Sequence, residues 1–145
     1  MYDNILRQIR ENLEMTQKEL GVVFGVDEST YRGWEIAKDI IPLRHLIRFS
    51  NLYDVSIDYL LKLSQSNIQY EKYKINKEDI GKRLKDIRKK LNLTQSKIAK
   101  ECMIFQTTYS NYEKGYYLVS TMTLYTICKE HKLSIDEVLG VKIHP

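Results

Sequence analysis

Apolar residues recur along the first part of the chain at helical rather than alternating spacing. Ile5, Leu6, Ile9 and Leu13 share one face of a helix predicted from Asn4 to Leu13. Thr16-Gln17-Lys18-Glu19 then has the form of a capping box, in which the Thr hydroxyl and the Glu carboxylate satisfy the free amides that open a new helix. That helix carries Leu20 and ends near Phe24, where Gly25 supplies the left-handed backbone a sharp turn needs. Asp27 suits the cap of a third helix with Tyr31 and Trp34 turned inward. Pro42 fits the first turn of a fourth helix, whose inner positions are Leu43, Leu46, Ile47, Ser50 and Tyr53. Ser56-Ile57-Asp58 opens a short fifth helix carrying Leu60 and Leu61.

The pattern then repeats with a period of 78 residues: Thr94-Gln95 stands where Thr16-Gln17 stood. Leu84, Ile87, Arg88 and Leu91 answer Leu6, Ile9, Arg10 and Leu13, and Ser134-Ile135-Asp136 answers Ser56-Ile57-Asp58. Ser134 with Glu137 makes a further capping box, Gly140 closes the last helix, and Val141 to Pro145 reads as a short frayed tail. Such a repeat within 145 residues predicts two small all-α units rather than one domain, over residues 1–63 and 76–145. The segment 64–75 between them is polar and lacks Gly and Pro, and Ile68, Tyr70, Tyr73 and Ile75 give it the means to pin one unit against the other.

Within each repeat the second and third helices are short and hinged by a tight turn. Their apolar sets are Leu20, Phe24, Val26, Tyr31 and Trp34 in one, and Ile98, Cys102, Ile104, Tyr109 and Tyr112 in the other, with the small Ala99 where two helices cross closely. This is helix-turn-helix spacing. The second helix of such a pair lies in the DNA major groove, so its outward residues are the readers. They are Glu28, Ser29, Arg32 and Gly33 in the first unit, and Gln106, Thr107, Ser110 and Asn111 in the second. The second set is chemically the better reader, because Gln and Asn pair bidentately with adenine and Thr approaches a thymine methyl or a hydrogen-bonding edge; in the first, Arg32 suits guanine and Glu28 cytosine, but Asp27 and Glu28 also repel phosphates. Gln17 and Gln95 stand at the N-termini of the preceding helices, where an amide can meet a phosphate. Lys38 in one unit, and Lys114 with Tyr116 in the other, follow the reading helices as further backbone contacts.

Composition is that of a globular protein, 43% hydrophobic and 29% charged with two Pro. The net charge of +4 is unevenly spread. Residues 1–62 hold eight Lys/Arg against ten Asp/Glu, and residues 63–145 hold 15 against nine. The second unit is therefore the better suited to grip an anion, although Lys82, Arg83, Lys85, Lys89 and Lys90 also fit the solvated face of a helix. Cys102 and Cys128 fall in apolar stripes and read as buried thiols. His45, His131 and His144 form no ligand spacing with them, so neither metal nor cofactor is expected. No Gly-rich phosphate loop and no nucleophile with a His base suggests an enzyme. No run reaches membrane-span length, and no basic-then-apolar leader is visible, so a cytoplasmic protein is expected. Richness in Ile, Lys, Asn and Tyr points weakly to an A·T-rich genome.

The runs Thr16-Gln17, Leu20-Gly21, Gly25-Val26, Tyr31, Trp34-Glu35 and Ser56-Ile57-Asp58-Tyr59-Leu60-Leu61 resemble the Cro and lambda-repressor type helix-turn-helix family, also called XRE-like. The resemblance covers nearly the whole chain, twice. It implies tandem five-helix domains that bind operator DNA, in that family typically as a two-fold pair, and regulate transcription in bacteria and phages. It also implies structural ion pairs, Arg10 with Glu35 and Arg88 with Glu113, that set the angle of each reading helix. Two departures stand out: Met103 occupies the turn-glycine position, which predicts a reshaped turn, and Ala37 replaces the glycine usual after Glu35.

The expectation is thus a sequence-specific regulator, a repressor, whose partner is double-stranded DNA and whose tandem form mimics a dimer. A homodimer on top of this would be sought at exposed apolar residues near Leu61 or Leu139 to Ile143. The alternative, from another class, is an interaction module. In it the acidic first unit docks a protein partner, such as an antirepressor or a toxin, or dimerises, and only the second unit binds DNA.

Overall fold

Local capping chemistry sets most of the helix boundaries. The Glu19 amide donates to Thr16 Oγ1 at 3.0 Å and the Thr16 amide donates to Glu19 Oε1 at 3.1 Å, so the first capping box is complete. In the second unit the Lys97 amide donates to Thr94 Oγ1 at 3.1 Å, but Lys97 stands where Glu19 stood and the reciprocal bond is lost. The computed structural model describes residues 2–68, 71–72 and 74–141. Among them it is all helical, with no strand. The first unit comprises α1 (Leu6–Asn12), α2 (Gln17–Phe24), α3 (Glu28–Glu35), α4 (Leu43–Tyr53) and α5 (Ile57–Leu60). The second comprises α6 (Lys77–Lys90), α7 (Gln95–Glu101), α8 (Gln106–Glu113), α9 (Thr121–His131) and α10 (Ile135–Val138).

Several boundaries differ from the pattern's prediction, each for a physical reason. Helix α1 starts at Leu6 because the Asn4 side chain is spent holding the entry: Oδ1 accepts from the Leu6 amide at 3.0 Å, and Nδ2 donates to the Trp34 carbonyl at 2.9 Å. In α4 the buried position is Phe49 rather than Ser50. Its ring stacks on Phe24 at 5.6 Å and meets Tyr53 edge-on at 5.0 Å, and this aromatic cluster widens the buried stripe beyond the strict helical spacing. Val141 is buried rather than part of a frayed tail; the remainder of that tail, residues 142–145, lies outside the described residues. Leu61 and Leu139 are 1% and 2% exposed, so neither offers the free apolar face sought for a homodimer.

The turn at Met103 is not reshaped. Met103 adopts φ 58° against φ 70° at Gly25, and the closing bonds match: the Ile104 amide reaches the Ala99 carbonyl at 3.0 Å, the Val26 amide the Gly21 carbonyl at 2.8 Å. The left-handed penalty of roughly 1–2 kcal/mol for a side chain with a Cβ is tolerated because nothing outside the local backbone resists it. Met103 is 92% exposed. The turn after each reading helix shows the reverse arrangement, with Ala37 at φ 58° and Gly115 at φ 73°.

The two units meet along a seam built from the shortest helices. The amides of Ile57 and Asp58 donate to the Asp136 carboxyl at 3.1 and 2.8 Å. Reciprocally, the Ile135 amide donates to the Asp58 carboxyl at 2.7 Å, and the Ser134 hydroxyl donates to the same group. Each unit thus caps the other's last helix, satisfying amides that a four-residue helix leaves free. Ile57 and its counterpart Ile135 exchange the same contact, as in an isologous, two-fold interface, here within one chain, and the Asp58 amide and Ser134 hydroxyl add bonds on either side of that exchange. Thr121 Oγ1 donates to the Ile41 carbonyl at 2.6 Å, and the Tyr2 and Tyr125 rings meet edge-on at 5.2 Å, which adds contacts without a symmetric partner. Of the linker, Asn67 is tied to the first unit: it accepts from the Ser56 amide at 2.9 Å and donates to the Asp54 carbonyl at 3.1 Å. Ile68 and Ile75 are exposed, and Tyr70 and Tyr73, expected to pin the units, lie outside the described residues.

Candidate nucleic-acid interface

A reading helix is useful only if its angle to the rest of the unit is fixed, and a bidentate ion pair fixes it twice over. Arg10 Nε and Nη2 bind Glu35 at 2.7 and 3.2 Å, and Arg10 Nη1 donates to the Met15 carbonyl at 3.0 Å. Arg88 repeats this on Glu113 at 2.6 and 3.1 Å, and on the Leu93 carbonyl at 3.0 Å. The Glu35 and Glu113 side chains are 2% and 3% exposed. Burial alone would raise the pKa of both carboxyls, yet the Arg and Gln hydrogen bonds outweigh it and hold them below the usual glutamate range. Arg10 and Arg88 are pushed up by the same bonds. Each pair therefore ties the end of the first helix to the end of the reading helix.

Gln17 and Gln95 belong to this network. Gln17 Nε2 donates to Glu35 at 3.1 Å and Gln95 Nε2 to Glu113 at 3.0 Å, so these two amides help to orient the ion pairs. The sequence signal for this was only the matching spacing of Gln and Glu in the two repeats.

On α3, Glu28, Ser29 and Arg32 are exposed as expected, but they bond one another's neighbourhood. Arg32 donates to Gln17 Oε1 at 3.2 Å and to Glu28 at 3.3 Å. Asp27 accepts from the Thr30 amide at 2.7 Å and from the Ser29 hydroxyl at 3.0 Å, and these bonds lower its pKa, keeping a negative charge at the helix entry. Gly33 does not face outward. It is buried, and a Cβ there would lie 2.8 Å from Asp39 Oδ2, because the chain after α3 folds back and the Asp39 amide reaches the Gly33 carbonyl at 3.2 Å. Thr30, not singled out from the sequence, is exposed on this helix.

On α8, Gln106 and Thr107 are exposed and Ser110 and Asn111 half-buried, while Tyr109 is fully inside, like Tyr31. The entry differs sharply from that of α3: Phe105 replaces Asp27, makes no side-chain cap, and is 82% exposed. Lys97 and Lys100 on α7 stand exposed where α2 has Glu19 and Val22. Lys38, Lys114 and Tyr116 are exposed; the Lys114 ammonium sits 5.7 Å over the Tyr116 ring, and Lys77 donates to the Tyr116 carbonyl at 3.3 Å. An exposed aromatic such as Phe105 carries no sequence signal that separates it from core, which is why pattern reading passed it over.

The thiols of Cys102 and Cys128 are free and pushed up to about 11 and about 12 by burial, and His45 packs against Phe24 and Trp34. Among the described residues no cluster of His, Cys, Asp or Glu is arranged to hold a metal, and no helix is long and apolar enough to cross a membrane.

Comparison with known proteins gives matches in both units. A family model described as helix-turn-helix covers residues 6–60, and one described as a helix-turn-helix domain covers residues 81–142. Over 64 residues, 44% of this chain and 57% of that protein, the chain is 39% identical to the uncharacterised HTH-type transcriptional regulator YobD of Bacillus subtilis strain 168. It is 32% identical to YqaE of the same strain, named in the same way, over 62 residues, 43% of this chain and 53% of that protein. The chain thus spans a little over half the length of these curated relatives. Among solved structures, the restriction-modification controller protein C.AhdI of Aeromonas hydrophila matches at 20% identity and TM-score 0.39, over 42% of this chain and 92% of that one. The clp gene regulator ClgR of Corynebacterium glutamicum matches at 24% identity and TM-score 0.42, over 46% and 70%.

Proposed function

The chain is made of two helix-turn-helix domains of the Cro and lambda-repressor type, and from that premise we propose that it is a sequence-specific DNA-binding regulator of transcription that acts as a repressor in the cytoplasm of a bacterium or in a phage-infected cell. Helices α3 and α8 are its readers, each entering a major groove. We divide the chain at 1–63 and 76–145, with 64–75 as the connection. The reading is supported by the seam: the two units are clasped through reciprocal Asp58 and Asp136 contacts, as the halves of a two-fold pair are. Duplex DNA has matching two-fold symmetry, and such pairs engage groove segments ~34 Å apart or a multiple of it. A covalent pair needs no second chain to complete this geometry. Because α3 and α8 carry different side chains, the two half-sites differ in sequence.

Selection of bound duplexes from a random library with the full-length protein, followed by footprinting at two salt concentrations, tests this. The expected result is one enriched site with two protected groove segments and an affinity that falls steeply with salt. Absence of any enriched site overturns the proposal. A second reading is favoured by one observation, the acidic entry of α3 with Arg32 tied to Glu28 and Gln17. In it, the first unit docks a protein partner and only the second unit protects DNA, so a single protected segment is its signature.

A further inference from the structure

The entries of the two reading helices have opposite chemistry at the same fold position. At α3 the position holds Asp27, whose carboxylate caps the helix. At α8 it holds Phe105, an aromatic that forgoes that cap and stands 82% in solvent beside Met103, which is 92% exposed. A large apolar side chain so placed is costly to leave in water, and it sits directly before Gln106 and Thr107, at the end of the helix that leads into the groove. Lys97 and Lys100 on the preceding helix make the surroundings attractive to phosphate, where the first unit has Glu19 and Val22. Of the groups a base pair shows in the major groove, one is apolar, the thymine C5-methyl.

We propose that Phe105 is a specificity-determining residue that packs on a thymine C5-methyl group, so that the half-site under the second unit depends on that methyl and the half-site under the first does not. This rests on the DNA-binding reading above and deepens it. In the first unit the ionised Asp27 would meet the same methyl with a solvated charge, so no counterpart contact forms there. Phe105 thereby supplies apolar contact where Gln106 and Asn111 supply hydrogen bonds to adenine edges.

The test uses the full-length protein and its selected site, with each thymine replaced singly by deoxyuridine, which removes the methyl and nothing else. Wild type is expected to lose about fourfold in affinity, the worth of one buried methyl, at one or two thymines under the second unit and at none under the first. The variant Phe105→Ala, which folds because the ring it removes is exposed, is expected to bind the thymine and deoxyuridine versions of those positions equally. Phe105→Leu is expected to recover part of the preference. A selected site at which wild type ignores every thymine replacement, or at which Phe105→Ala keeps the wild-type profile, overturns the role of Phe105 while leaving DNA binding intact. Failure of wild type to select any site overturns the DNA-binding reading and this inference with it.

Discussion

Replacing Asp136 by Asn should remove a pH dependence that the seam builds into the fold. Asp136 is 1% exposed, and burial, followed by repulsion from Asp58, pushes its pKa up from 3.8 to about 7. A carboxyl whose folded value lies above its unfolded value binds its proton more tightly when folded. Its contribution is therefore fully present below about pH 4 and is lost as pH rises through about 7. A shift of that size corresponds to something on the order of 4 kcal/mol between the two limits, at about 1.4 kcal/mol per unit. Asparagine keeps one acceptor for the Ile57 and Asp58 amides but cannot ionise, and the buried amide left facing its NH2 group costs about 1–3 kcal/mol. Urea unfolding from pH 5 to pH 8 should then show wild type losing stability relative to Asp136→Asn across this window, with the variant the more stable of the two at pH 8. The groups around the pair, Cys128 behind it and Lys62, Lys129, Lys132 and Glu137 around the adjoining cleft, are common to both proteins. So is His45, lowered by burial, which acts in the opposite sense below its ordinary value of 6.5 and cancels in the difference. If the variant keeps the wild-type slope between pH 5 and 7, or is the less stable at pH 8, the buried carboxyl pair is not what links the seam to protons.

Arg88→Ala should cost about 3–5 kcal/mol in urea unfolding, because it strands the buried Glu113; a loss under 1 kcal/mol would show that water reaches and solvates that carboxylate. Met103→Gly removes a left-handed side chain worth roughly 1–2 kcal/mol of strain, partly offset by ~0.4–1 kcal/mol of extra chain entropy in the unfolded state. A small gain in melting temperature is expected, and a loss refutes the strain. Asn111→Ala or Gln106→Ala should weaken binding to the selected site by about 1–3 kcal/mol with little effect on random DNA, whereas Lys114→Ala should weaken both alike. Equal losses on the two DNAs for Asn111→Ala remove it from the base readers.

Much of this architecture was legible in the sequence because it is set within a few residues. Thr16, Asp27 and Thr94 cap helices through their own neighbours, Tyr31, Trp34 and Tyr109 face inward by helical spacing alone, and the 78-residue period exposes the duplication without any coordinates. What pattern reading misplaced depends on chain segments that fold back or pack from afar. Gly33 is hidden by Asp39, and Phe49 is drawn in by Phe24. The seam is the clearest case. Asp58 and Asp136 look like ordinary first-turn acids of short helices, and only the docking of one unit on the other makes each the cap of its counterpart's helix. Helical period and capping are local free energies that a sequence displays directly, whereas which carboxyl meets which amide across 78 residues is decided by the summed packing of two whole units.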